Sequence, residues 1–431
     1  MSREENRKNF SKYVSQNILG MIGFSCYVLA DSYFISIAKG ADGLTALNLV
    51  MPLYSIIFSI GEMIGVGSAI RYAIGKIKKD ADADDYFWNA IIWCILSSIL
   101  FVFAGIFFSA DIMRILGADE HIVAVGNNYT KIFMCFAPMF MCNYVTNAFV
   151  RNDGAPGIAM SATLFSSLFN IVFDYILMFP MNLGMEGAAL ATALSPIIGM
   201  GICSIHFFSK KSSVRLVVCK PSVRKLVAGS QLGVSAFVGE MSSAVITLAF
   251  NFVILKLAGN VGVAAYGVVA NIAIVTTAVF NGVAQGSQPL ISSCFGRGDK
   301  DGCTQLKRMG YTTAFVLAAI MYSILFIFAG QFVAVFNSEG SEMLRIYATE
   351  GVKLYFIGIF FAGINIVGGG AFSATENAFK AAVVSVARGF VLILGAVFVM
   401  SALFGMTGVW LAYAVAEGIT TFIMLVMALR V

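Results

Sequence analysis

Apolar runs long enough to cross a bilayer follow one another from end to end of this 431-residue chain. A membrane helix needs about 20 mainly apolar residues. No water reaches the backbone there, so a crossing segment must bond to itself as a helix or join a closed barrel. Breaks at charged residues, glycine and proline divide the chain into twelve predicted spans. Six lie at residues 14–38, 44–74, 86–108, 121–149, 157–180 and 184–208. Six more lie at 226–258, 263–295, 309–336, 343–372, 378–403 and 405–430. The predicted fold is an all-α membrane protein with two six-helix bundles: an N-lobe at 1–208, a linker at 209–225 and a C-lobe at 226–431.

Composition agrees: 59% of residues are hydrophobic and 12% charged, which excludes an ordinary soluble domain. The net charge of +5 is spread between spans rather than gathered in a patch, so no nucleic-acid partner is expected. Eight cysteines without a CxxC pair read as small apolar residues, not as metal ligands or a disulfide framework. Of the 28 Lys and Arg residues, six (Lys39, Arg114, Lys131, Lys256, Arg345 and Lys353) fall near one set of span ends and 22 near the other. Basic residues stay inside, so both termini are expected in the cytoplasm of a multi-pass cell-membrane protein.

The halves repeat. Gly61, Gly65, Gly75 and Asp80 recur 221 residues later as Gly282, Gly286, Gly296 and Asp301. Gly184-Met185-Glu186-Gly187 recurs at the same offset as Gly405-Met406-Thr407-Gly408, and Gly40 matches Gly259 at an offset of 219. Each half has an even number of spans, so the repeats run parallel about an axis along the membrane normal. Two such bundles suit alternating access.

Few ionisable residues interrupt the spans, and these carry the functional argument. Asn170 and Asp174 lie four apart within 157–180, on one helix face. A carboxylate at that depth costs roughly 2.5–3.5 kcal/mol on insertion scales, so an ion, a proton, a buried partner or water must offset it. A plain interhelical hydrogen bond is the bland alternative. Asp31 lies in span 1 with Tyr27 one turn before it, and Thr192 lies among small residues in span 6. If their three spans meet, which the sequence alone does not establish, Asp31, Asn170, Asp174 and Thr192 would offer carboxylate, amide and hydroxyl oxygens suited to a small hard cation such as Na+. Two carboxylates in one dry pocket also favour a shared proton.

Glu62 and Glu240 are secondary candidates. Glu62 and Glu417 read as interhelical partners or cleft-facing groups, His206 as interfacial, and Arg151 as positioning a loop.

The chain resembles prokaryotic multidrug and toxic compound extrusion (MATE) transporters over essentially its whole length. The resemblance rests on VLADSYFISIAKG, GKIKKD, FVRNDGAP, NIVFD, GMEGAALATA and QGSQPLISSCFGRGDK, in that order. It implies that Asp31, Asn170, Asp174 and Thr192 hold the coupling cation, with Tyr27 close by. There are departures. The region matching a span 1 proline in some relatives, residues 13–19, has none, which argues against a bending span 1. Glu240 in VGEMSS matches a C-lobe acid of other relatives, but residues 355–370 contain no Asp to complete that site.

The function expected is a secondary antiporter, not an enzyme. It would act as a functional monomer without cofactor, exporting small organic, often cationic, compounds against inward Na+ or H+. A flippase or exporter of a lipid-linked or narrow-specificity metabolite is the alternative. A major-facilitator transporter would show an Asp-Arg-x-Gly-Arg-Arg type of signature in the span 2–3 loop, where GKIKKDADADDY stands. An intramembrane hydrolase needs a nucleophile with a base, or a metal set; two histidines and no HExxH argue against one.

Overall fold

Glycine decides where the long helices break. In a computed structural model, which describes residues 3–215, 217–336 and 341–429, three continuous helical stretches are each interrupted at a single glycine. Gly40 (φ 56°, ψ −140°), Gly259 (φ 61°, ψ −157°) and Gly405 (φ 59°, ψ −136°) all adopt a backbone conformation that a side chain disfavours. Gly40 and Gly259 are repeat partners, and Gly184, the partner of Gly405, has a φ of 53°. The sequence repeat is thus a repeat of geometry, with matched glycines turning the chain between spans 1 and 2, 7 and 8, 5 and 6, and 11 and 12.

Among the described residues, nine helices are long and apolar enough to cross a membrane, or ten with the bent pair Glu120–Cys135 and Ala137–Asn152. Val223–Gly296, divided at Gly259, holds spans 7 and 8; Ala378–Ala428, divided at Gly405, holds spans 11 and 12. The remainder are Arg3–Gly40, Asp42–Lys78, Asp85–Ile115, Pro156–Met178, Gly184–Phe207, Lys300–Ile327 and Glu342–Ala374. That makes twelve spans in two six-span repeats, and the described residues include no strand.

Three spans differ in detail from expectation. Span 4 bends by 46° at Phe136, because Pro138 supplies no N–H to the preceding turn. Span 10 tightens to a 3-10 turn at Phe356–Gly358, and span 11 widens to a π turn at Ala387–Val391. Span 1 runs without a break from Arg3 to Gly40, as its lack of proline suggests.

The helices pack as two units. One holds Ser15–Phe237 with Ser292–Asp299; the other holds the described residues of Met1–Val14, Val238–Ile291 and Lys300–Val431. In the first unit, the start of span 7 lies against span 2 with no room for side chains. A Cβ on Gly67 would meet the Gly229 carbonyl oxygen at 2.0 Å, and one on Gly233 the Met63 carbonyl at 2.0 Å. Arg71 Nε donates to the Ala228 carbonyl at 3.1 Å beside this crossing.

The connection between spans 6 and 7 is fastened to the same unit. Asp153 accepts from Tyr72 Oη at 2.8 Å and from the Ser213 amide at 2.8 Å, and pairs with His206 Nε2 at 2.8 Å. Further along, the Arg215 amide donates to Asp84 at 3.1 Å, and the Ser222 amide to Asn89 at 2.6 Å. Lys225 pairs with Asp85. His206 is therefore buried against Asp153, and Asp153 holds this connection in place.

Candidate ion-coupling site

Span 5 inverts the usual amphipathic pattern. Phe165, Leu168, Val172, Tyr175 and Ile176 face outward, while Ser167, Asn170 and Asp174 are buried together on the opposite face. In lipid this is the economical arrangement, because apolar side chains meet hydrocarbon and polar ones meet protein. Asn170 and Asp174 have no exposed surface at all.

Span 6 comes close enough to complete their surroundings. Its inner face is built from Gly187, Ala188, Ala189, Ala191 and Ala193, and a Cβ on Gly187 would meet the Leu177 backbone at 2.8 Å. That close approach seats Thr192 beside Asn170. With its amide turned so that both ends are satisfied, Asn170 donates to Asp174 Oδ2 at 3.1 Å and accepts from Thr192 Oγ1 at 3.2 Å. Asp31, on span 1 and 6% exposed, lies within electrostatic reach of Asp174. The structure therefore brings together all four residues predicted as one cluster, from spans 1, 5 and 6. Tyr27 is half-buried near the same place, within electrostatic reach of Tyr54, which also feels Asp31 and Asp174.

The oxygens left over are informative. Among the described residues, Asp31 Oδ1 and Asp174 Oδ1 are buried with no hydrogen-bond partner. Buried acceptors in native proteins are nearly always paired, and an unpaired carboxylate oxygen is the costliest kind. Two such oxygens beside an amide and a hydroxyl suit a small hard cation or a shared proton.

Sequence reasoning missed two members of this region. Tyr54 on span 2 and Tyr129 on span 4 share a hydroxyl–hydroxyl hydrogen bond, and both lie within electrostatic reach of Asp31 and Asp174. Tyr54 stacks on Phe133 with ring centroids 3.6 Å apart, which fixes its hydroxyl. Two phenols have two protons and their mutual bond uses one, so the other is free to turn toward the acids. The only signal in the sequence was a polar aromatic inside each of two apolar windows.

The family model for MatE matches residues 17–176 and 236–399, most of the chain and both halves. The chain belongs to the MatE family. It is 26% identical over 410 residues to the multidrug export protein MepA of Staphylococcus saprophyticus, covering 93% of this chain and 89% of that one. It is 27% identical over 414 residues to the MepA of Staphylococcus aureus, with the same coverage. Among solved structures it is similar to an outward-facing multidrug resistance MATE transporter of the MOP superfamily, at a TM-score of 0.92 and 20% identity, covering 99% of this chain and 96% of that one. It is also similar to a MOP superfamily transporter from Pyrococcus furiosus, at a TM-score of 0.91 and 19% identity, covering 99% and 95%.

As a MatE family member the protein is a membrane transporter, not an enzyme. The secondary candidates of this MatE chain lie elsewhere. Glu62, on span 2, is within electrostatic reach of the buried Arg151, whose Nη1 also lies 3.5 Å from Asn17 Oδ1. Glu240, on span 7, is half-buried in the other unit.

Proposed function

We propose that this MatE transporter is a secondary antiporter in the cell membrane that exports small organic, often cationic, compounds in exchange for inward Na+ or H+. The observation that carries the reading is the pair of buried, unpartnered carboxylate oxygens on Asp31 and Asp174, with Asn170 and Thr192 beside them. Their mutual repulsion in a water-poor pocket makes binding one cation, or one proton, favourable. A cation that neutralises the pair stabilises whichever bundle conformation holds the acids together, which links its binding to access on the two membrane faces.

The transport reading draws on the relatives named multidrug export proteins. The moving bodies would be the two six-span halves, 1–208 and 226–431, joined by the 209–225 linker, with both termini in the cytoplasm and each monomer working alone.

The test is accumulation of ethidium in cells with and without the protein, under imposed Na+ or pH gradients. Expression should lower accumulation, collapse of both gradients should abolish the effect, and the gradient that suffices alone names the ion. Unchanged accumulation across a broad panel of dyes and antibiotics would sink the multidrug reading in favour of a lipid-linked or narrow-specificity substrate.

A further inference from the structure

The second unit contains another intramembrane acid, and its surroundings are the opposite of those around Asp31 and Asp174. Glu417 on span 12 is 2% exposed, yet donors from the chain itself satisfy both of its oxygens. Oε1 accepts from Arg388 Nη2 at 2.7 Å and Nε at 3.1 Å, and Oε2 accepts from Asn365 Nδ2 at 2.7 Å. Asn365 Oδ1 in turn accepts from Thr421 Oγ1 at 3.0 Å. Tyr413 lies within electrostatic reach of both Arg388 and Glu417.

Arg388 reaches Glu417 from a distorted helix. It sits in the π turn Ala387–Val391, and turns of this kind concentrate at functional sites. The next residue, Gly389, presses on span 7: a Cβ there would meet the Ser242 Cβ at 2.6 Å. That contact holds the turn in place, and with it the direction of the Arg388 side chain.

Without the guanidinium, the group is a carboxylate with an amide, a threonine hydroxyl and a phenol. These are the same donor types as at Asp174, with its Asn170, Thr192 and tyrosine neighbours. The difference is the resident cation. A guanidinium cannot lose its proton in a protein, and a tethered one competes at high effective concentration against any free ion.

We infer that Arg388 is a tethered counter-cation, which closes a second carboxylate site at Glu417 to free Na+ or H+ and leaves one exchangeable cation site per chain. This rests on the coupling role proposed for Asp31 and Asp174. It also gives a physical reason for unequal halves: of these two buried clusters, that of Asp31 and Asp174 must look outside the protein for its counter-charge, and that of Glu417 need not.

The experiment counts cations bound by the purified protein, using equilibrium binding of radioactive Na+ and proton uptake on a pH jump. The wild type should bind one cation per chain. Arg388→Met keeps an unbranched side chain and removes the charge, so it should gain a second binding event. The double variant Arg388→Met, Glu417→Gln should lose that second event and return to the wild-type count. Removing both partners of a buried ion pair is tolerated far better than removing one. If Arg388→Met alone does not fold, the double variant still decides: a count below wild type means that Glu417 already exchanges a cation, which overturns the inference. A folded Arg388→Met with no added binding also overturns it. Retention of wild-type binding in Asp174→Asn would instead defeat the coupling reading, a separate result that the Glu417 comparison does not mimic.

Discussion

An aspartate buried in a membrane bundle must be discharged or paired, and Asp31 and Asp174 each keep an oxygen that no described group serves. Asp→Asn at either position keeps the size and removes the charge that a cation would answer. Asp31→Asn and Asp174→Asn are each expected to abolish gradient-driven efflux in proteoliposomes while leaving the melting temperature in detergent near the wild-type value. Glu240→Gln should keep coupling; its loss there, with normal coupling in Asp174→Asn, would move the site to the other half. The tyrosine pair should matter less. Tyr129→Phe removes one hydroxyl of a bond whose spare proton can turn toward the acids, and hydrogen bonds to charged groups contribute about 1.5–3 kcal/mol. Such a bond competes with a bound cation for the carboxylate, so cation affinity should not fall in an equilibrium binding assay, and transport at saturating ion should be kept. How far these residues were legible depends on sequence distance. Asn170 and Asp174 announce themselves through helical spacing alone. Placing Asp31 and Thr192 beside them needed the family resemblance, and the Tyr54–Tyr129 pair, which joins spans 2 and 4, left no more trace than a polar aromatic in each of two apolar windows. Asp153 was overlooked for a related reason: an acid in a polar loop reads as solvated until Tyr72 and His206 are seen to close over it.

Among the elements, the glycine-made breaks were the most readable, because a residue that must turn the chain in the same way twice recurs at a fixed offset. Gly259→Ala or Gly405→Ala would force a side chain into a backbone region nearly reserved for glycine, at a cost on the order of 1–3 kcal/mol. Each should lower the melting temperature and the folded yield. Gly395→Ala is the control: it sits in span 11 with nothing within 4 Å of the added Cβ, so stability should be unchanged or slightly raised. A Gly405→Ala variant as stable as Gly395→Ala would show that the break tolerates a side chain. Irregularities inside spans were harder to read. The bend at Phe136 has a local cue in Pro138, whereas the π turn at Ala387–Val391 has none, since it depends on Gly389 meeting Ser242 on another helix.

Within each unit, hydrogen bonds join connecting segments that also carry basic residues. Within one unit, the segment after span 6 is bound to the one between spans 2 and 3, through the Arg215 amide to Asp84 and through Lys225 to Asp85. Lys79 and Lys211 must therefore lie at one end. Within the other unit, Gln305 Nε2 donates to the Arg3 carbonyl at 3.0 Å, and Asn6 Nδ2 to Gln305 Oε1 at 3.2 Å, so Asp301 lies at the end that holds the N-terminal segment. Each of these segments is among those carrying the 22 basic residues, and only one assignment of sides satisfies the inward bias of positive charge. In a background without the eight native cysteines, Lys79→Cys, Lys211→Cys and Asp301→Cys should react with an impermeant thiol reagent only after the cytoplasmic face is opened. Asn182→Cys, in the exposed turn between spans 5 and 6, should react in intact cells. The complementary pattern would invert the protein and make export the wrong direction for the same chemistry. Mixed labelling among Lys79, Lys211 and Asp301 would contradict the parallel repeat itself, because an even number of spans per half requires the matched segments around Asp80 and Asp301 to share a side.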